Sequence, residues 1–576
     1  MALALYMRTL GADYVWDDLT YIGNYRHYHG LEGVIKAVSE PFSLSPEYYR
    51  PLAMLSFVIS ESPVVQHGIN VLLHALNTVL VFCCARALMS HDAAESRVGF
   101  GAAGLGALAF AVHPLAVEPV AWVSGRFDTV MCAFVLGTCL VAFGGELTRR
   151  RLALVCALFA CAMGSKESAI GLLAAFPFLW LLRQRLVSRD ESESRISWRA
   201  IARPWAALLT GAALYVVARL AVRRQLLVYD SSPDPFSNGG LLDKLNVAAL
   251  AVQEFALLVV NPWSYSSPLH PFDYAVGRGF LLQSAAVFVA IIVLALLVAK
   301  MRMAFPLALL AALAMISPAL HLFSFPNVGD IISDRYALAP LALLAAGLAA
   351  TAGVWLARRT PAMNAGERRV LMYAGAFGLL WAGALAAHSS ASIPLWRNEL
   401  SLWSFSHRMA PDSVRVHGNY VRALMGAERW EDADRELSLL LPQVTGALDL
   451  GTITSWMLVR AKMGGYAEAV EISNLARDLL DGSDETQQQR RLRGDFYRAR
   501  GLIEGEAGHW EQAAVYMQKA FEAQPSNVRA ALQYAHALFM SGDEQRAGEI
   551  FENALRDAPE ETEASAKRWR SQWKRD

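Results

Sequence analysis

The sequence predicts an all-α protein in two parts, a polytopic bundle of membrane-spanning helices over residues 1–388 and an α-solenoid of helical repeats over residues 389–576. Three observations carry that prediction. The chain has 576 residues, 55% of them hydrophobic and only 18% charged, whereas a soluble protein of this size carries nearer a quarter charged residues. The long apolar runs are confined to the part before residue 388. Beyond it the apolar residues recur with a period near 3.6, the mark of amphipathic helices in water.

Apolar stretches able to span a bilayer recur at 66–89, 99–112, 127–144, 152–164, 168–182, 204–222, 280–299, 303–320, 336–357 and 370–388, giving about 10–11 spans in all. Each is expected to be helical, because only a helix satisfies its own backbone in lipid without closing a barrel. The run Gly99-Phe100-Gly101-Ala102-Ala103-Gly104 should let neighbouring helices approach closely. All six cysteines lie inside apolar runs, without the spacing of a zinc site, and read as small packing residues. No metal site is expected. A formal net charge of zero argues against nucleic acid as a partner.

Arginines mark the span ends: Arg149-Arg150-Arg151, Arg183, Arg185, Arg189, Arg195, Arg199 and Arg203, Arg302 beside Lys300, then Arg358, Arg359, Arg368 and Arg369. Placing them in the cytoplasm gives a consistent alternation. The loops 13–60, 113–126, 223–279 and 321–335, and everything after 388, then lie on the other side. The count closes if 244–260 is re-entrant or surface-lying. The predicted location is a multi-pass inner (cytoplasmic) membrane protein with its repeats on the periplasmic side. Met1–Leu10 is too short to cross, so a first helix is expected upstream of Met1 unless this segment only dips into the interface.

In the C-terminal part, Gly508, Ala513, Ala520 and Pro525 recur 34 residues later as Gly542, Ala547, Ala554 and Pro559, the signature of tetratricopeptide repeats. Looser copies lie at 411–442 and 452–481. Such repeats stack into a concave surface suited to a protein or peptide partner.

Ionisable residues beside membrane spans are costly and so point to function. Four clusters stand out. In the first, Trp16-Asp17-Asp18 precedes Tyr49-Arg50-Pro51; two adjacent carboxylates can supply a general base and its partner, or one of them can cap a short helix starting at Leu19. The second runs from His113-Pro114 through Glu118, Trp122, Arg126 and Asp128. If helix continues past Pro114, Glu118, Trp122 and Arg126 share a face, to orient an acceptor and grip a phosphate or to snorkel at the interface. The third, Ser165-Lys166-Glu167, sits between two spans with almost no loop. Lys166 can meet a lipid phosphate as a point charge or pair with Glu167. The fourth, Asp330 to Ser333-Asp334-Arg335-Tyr336, offers Arg335 as a bidentate phosphate clamp or as a partner of Asp334. His270 and His321 lie on the same side and read as structural.

These residues lie in stretches that resemble the transmembrane and tetratricopeptide-repeat O-mannosyltransferases and their bacterial relatives in the GT-C superfamily. The likeness rests on Tyr14-Val15-Trp16-Asp17-Asp18, Tyr49-Arg50-Pro51-Leu52, Asn70 to Asn77, His113-Pro114 through Glu118 and Trp122 to Gly125-Arg126, Ser165-Lys166-Glu167-Ser168, Asp334-Arg335-Tyr336, and Trp396-Arg397-Asn398-Glu399-Leu400. The resemblance implies a GT-C-like bundle and an inverting transfer of sugar, mannose among the options, from a polyprenyl-phosphate carrier to a hydroxyl, often on a protein. It makes Asp17 the catalytic carboxylate, with Asp18 beside it and Glu118 as the second acidic residue. Arg126, Lys166 and Arg335, with Arg50 and His113 nearby, are then the substrate-binding residues. The donor would be a polyprenyl-phosphate-linked sugar, with no certain cofactor. The competing readings are a non-enzymatic membrane scaffold that recruits envelope proteins through its repeats, and a transporter of lipid-linked saccharides.

Overall fold

A computed structural model describes residues 1–18, 30–40, 48–60, 62–188, 198–223, 241–261, 263, 278–301, 303–320, 332–440, 450–476, 480, 487–525, 527–556 and 560–573. Pro559, His270, His321 and Asp330 lie outside the described residues. Among the described residues the regular elements are helices, and the chain divides into two compact units, Met1–Phe405 and Ser406–Asp576. The last apolar run forms part of the helix Ala365–Ser392. The polar-looking stretch after it stays with the first unit, because Trp396, Leu402 and Trp403 are buried there.

Six helices among the described residues are long and apolar enough to cross a membrane, or seven if the bent pair Arg97–Val112 and Pro114–Ala121 counts as one span. The remaining stretches expected to span also lie in helices. The segment expected at 152–164 is helical over Arg149–Ser165, but three arginines open it. The stretch near 280–299 lies within the 24-residue helix Arg278–Met301, and that near 303–320 forms the apolar helix Phe305–Ile316 with the turn Ser317–Ala319. Residues 244–260 form one helix, Leu241–Val260, with Asn246 and Glu254 buried on its inner face. The apolar windows of Val123–Phe143 and Asp334–Ala362 are 72% and 78% buried, against 11% for Ala365–Trp396, so the first two form the middle of the bundle.

Local chemistry starts and breaks these helices. Pro51 and Pro63 occupy first turns, where a missing N–H costs nothing. Ser96 and Thr148 accept from the backbone N–H of Gly99 and Arg151, and Asn364 with Glu367 closes a capping box. Pro114 interrupts the second span, bending it by 56° with His113 extended at the break. Close helix packing occurs within the glycine run, where a Cβ on Gly353 would stand 3.3 Å from the Cα of Gly99, and again two residues beyond it. Gly101 and Gly104 face open space, whereas a Cβ on Gly106 would stand 2.6 Å from the Cβ of Ala349.

The arginines at span ends bond to helix C-termini, whose last carbonyls have no partner within the helix. Arg151 Nη2 donates to Val141 O at 2.6 Å. Arg183 donates to Ala87 O, Arg185 to Val298 O and Met303 O, and Arg358 to Leu186 O and Ser188 O. Cations here also complement the negative ends of the helix dipoles. The opposite helix ends, near Arg126, Ser165 and Asp334, carry the polar clusters.

The second unit is a run of helix pairs: Val414–Gly426 with Trp430–Leu440, Leu450–Lys462 with Tyr466–Asn474, Gln487–Glu506 with Trp510–Ala523, and Val528–Ser541 with Glu544–Leu555. Ala433, Ala469, Ala513 and Ala547 are buried where the helices meet, which is why only a small residue serves there. Gly464, Gly508 and Gly542 turn three of the pairs, with φ of +86°, +82° and +107°. A side chain is strained at such angles. Gly542→Ala is therefore expected to weaken its repeat by about 1 kcal/mol, seen as faster amide exchange in the helices on either side.

Candidate functional site

Five sequence stretches, 14–18, 48–50, 118–128, 166–167 and 335–336, meet at the end of the first unit opposite the arginines. The first is Tyr14–Asp18. Its backbone is held by Asp13 N–H donating to Arg397 O at 2.8 Å and by Trp16 N–H donating to Glu399. Trp16 takes the left-handed conformation, φ +53°, unusual for a bulky residue and an indication of local strain. Its indole stacks on Trp122, ring centres 4.9 Å apart, and meets the edge of Trp403.

The two adjacent aspartates are in different environments. Asp18 is fully buried. One carboxylate oxygen accepts from Val15 N–H at 3.3 Å, as the third residue of a capping box would; the other accepts from Ser124 N–H at 2.7 Å and from the Ser124 hydroxyl. Burial raises its pKa to about 7, with Asp17's charge adding to the rise and the three hydrogen bonds opposing it. Asp17 is half-buried.

Because the folded value of Asp18 lies above the ordinary one, the fold favours the protonated form. That contribution to stability is complete below about pH 4 and is lost as the pH rises through about 7. The melting midpoint in detergent should fall across that window, and Asp18→Asn should flatten the fall.

Glu118 is buried and pairs with Arg335. Its Oε1 lies 2.5 Å from the guanidinium and its Oε2 accepts the Arg335 backbone N–H at 3.2 Å. The guanidinium of Arg335 stands 5.3 Å from the Trp122 ring centre, 5.7 Å from Trp16 and 4.8 Å from Tyr336. Lys166 shares Tyr336 from another side, Nζ 4.6 Å from the ring centre, and reaches both oxygens of buried Asp128 at 2.7 Å. Arg50 Nε donates to Glu167 at 2.8 Å while its guanidinium lies 4.0 Å from the Tyr48 ring centre. Arg219 and Tyr215 hold the other oxygen of Glu167. Lys166 feels the charges of both Arg335 and Arg50. Asp17, Asp18, Glu118, Lys166, Arg335 and Arg50 are thus gathered in one region, and Lys166 and Glu167 are paired to different partners.

Two predicted binding residues are committed elsewhere. The helix expected to continue past Pro114 ends at Ala121; a short turn, Val123–Gly125, leads into the next helix at Arg126. Gly125 permits that fold-back, since a Cβ there would stand 2.6 Å from Pro119. Glu118, Trp122 and Arg126 therefore do not share one helix face. Arg126 is wholly buried, donating to Asn70 Oδ1 at 2.7 Å, to Ser56 O at 3.2 Å and to the side chain and carbonyl of Gln66. His113 caps the turn after the bend, with Nδ1 accepting from Leu115 N–H and Nε2 beside Val259 O at 3.3 Å.

Ser124, Tyr215, Arg219 and Glu399 join the region without having been singled out for it. Arg219 carried a usable signal, a charge within the apolar run 204–222. Nothing local marks Ser124.

A tetratricopeptide-repeat family profile matches residues 506–568. The chain is 34% identical over 184 residues to the protein O-mannosyl-transferase Tmtc1 of Drosophila melanogaster, covering 30% of this chain and 20% of that protein. It is 29% identical over 248 residues to the protein O-mannosyl-transferase tmtc2 of Xenopus laevis, covering 37% of this chain and 28% of that one. The chain thus matches only 20–28% of the length of these relatives. Among solved structures, the crystal structure of MamA protein overlaps at a TM-score of 0.23 and 17% identity, over 29% of this chain and 83% of that one. By its matched stretches, its apolar helices and its repeats, the chain is a relative of the transmembrane and tetratricopeptide-repeat O-mannosyltransferases.

Proposed function

We propose that this chain is a membrane glycosyltransferase that moves a sugar from a polyprenyl-phosphate carrier to a hydroxyl on a protein acceptor, with inversion. One observation supports this reading: a half-buried carboxylate, Asp17, stands beside a region where Arg335, Lys166 and Arg50 gather at one end of the helices. That is the charge pattern needed by a reaction that removes a proton on one side and releases a phosphate on the other. The names of the relatives support mannose as the sugar.

In this reading Asp17 accepts the acceptor's hydroxyl proton as its oxygen bonds to the anomeric carbon. The bond from that carbon to the carrier phosphate breaks, and the phosphate keeps the electron pair. Arg50, Arg335 and Lys166 stabilise the departing phosphate. Among the described residues Arg50 bonds only through Nε, which leaves its two terminal nitrogens to form a fork for phosphate oxygens. Glu118 positions Arg335, and Asp18 positions the loop carrying Asp17. The arginine-rich helix ends support a cytoplasmic placement for that face, which puts the site and the repeats on the periplasmic side of the inner membrane. The repeats would present the acceptor.

The test is release of lipid phosphate from a panel of polyprenyl-phosphate sugars by the purified full-length protein, with acceptor peptides or envelope extract present. Turnover by wild type that is lost in Asp17→Asn supports the reading. A folded protein without turnover on any donor overturns it.

A further inference from the structure

The second unit holds a cluster that the proposed transfer chemistry does not use. His407 lies in the last turn of the helix Glu399–Met409, His417 on Val414–Gly426 and Glu436 on Trp430–Leu440. One ligand atom from each lies within 4.8 Å of the other two. Glu436 Oε2 is 2.9 Å from His417 Nε2 and 3.4 Å from His407 Nε2. The imidazoles approach to 4.6 Å between ring centres, and Tyr420 stacks on His407 at 5.0 Å.

Hydrogen bonding leaves this cluster unsatisfied. His417 is 2% exposed, and neither of its ring nitrogens has a hydrogen-bond partner. Glu436 Oε2 and His407 Nδ1 are also buried without one. The 2.9 Å approach of His417 to Glu436 is close but misaligned for a hydrogen bond. Buried polar atoms are normally paired, and leaving several unpaired in one place is costly. A shared cation would satisfy the nitrogens and the carboxylate oxygen together.

We propose that His407, His417 and Glu436 form a zinc site that joins the first three helices of this region, with water as the fourth ligand. Two imidazoles and a carboxylate are a zinc donor set, and tetrahedral bonds of about 2.0–2.2 Å place neighbouring ligand atoms about 3.3 Å apart. The separations of 2.9 and 3.4 Å already approach that spacing. Binding to the folded form alone would stabilise these helices in proportion to zinc concentration.

The experiment uses full-length protein purified in detergent without a histidine tag, stripped of metal and titrated with zinc. One zinc per chain is expected, weakened at least tenfold by His407→Asn and by Glu436→Gln, each altering a partly exposed ligand. Cobalt in place of zinc should give the intense visible bands of a tetrahedral site in wild type and not in the variants. His417→Ala alters the most buried ligand, so its folding is checked by circular dichroism before its binding is read. Zinc retained equally by wild type and the His407→Asn, Glu436→Gln double variant overturns the proposal, as does a cobalt spectrum of octahedral type.

Discussion

Asp17→Asn is expected to reduce sugar transfer by about a hundredfold to ten-thousandfold, the range that a positioned general base contributes. Asparagine matches the carboxylate in shape but cannot take the acceptor's proton. Donor binding should survive, because the cations proposed to hold the phosphate lie on other stretches, so the loss should fall on kcat with little change in KM. Asp18 provides the control. Its carboxylate holds Val15 and Ser124, so Asp18→Asn should lower the amount of ordered loop, and activity should recover in part at low temperature. Activity lost equally in both variants, with KM raised in both, would place the chemistry elsewhere.

Arg126→Met should give the largest loss of stability, about 3 kcal/mol. The guanidinium is wholly buried and bonds Asn70, Gln66 and Ser56 while its plane lies 4.7 Å from the ring centre of Phe57. Removing it leaves several buried acceptors without donors, at about 1–3 kcal/mol each. Methionine's packing and the released cost of burying a charge recover part of this. Arg126→Lys keeps the charge but has no fork to serve three residues at once, so it should also destabilise. Arg50→Met, which leaves Glu167 held by Tyr215 and Arg219, should lower the melting midpoint in detergent less than Arg126→Met does while raising KM for the lipid donor. The two arginines separate when midpoint and KM are measured on the same preparations.

The helical architecture was legible because lipid and water impose different rules on side chains, and these rules act locally. Apolar runs became helices at 66–89, 127–144 and 336–357 nearly as read. The 34-residue echo in the repeats reflects identical packing demands in successive pairs. Pairing was less legible. Lys166 stands next to Glu167 in the chain yet bonds Asp128, and Arg335 follows Asp334 yet clamps Glu118. In both cases burial fixes which way a side chain can reach, and burial is decided by distant segments. Arg126 looked like a ligand for phosphate because arginine at a span end resembles one. Only the fold shows that Asn70 and Gln66, a helix away, consume its donors. The histidines and carboxylate of the repeats come from three helices, so no short motif announced them.

The left-handed glycines at 464, 508 and 542 sit at the turns of three successive helix pairs. Each pair leans mainly on its immediate neighbours, so the array is modular in the way a chain of links is. A pair can be duplicated, deleted or exchanged by recombination at these turns while the remaining pairs keep their own packing. The surface of such an array can therefore change one pair at a time, unlike the membrane-embedded unit, where the partners of a single arginine come from segments far apart in the chain.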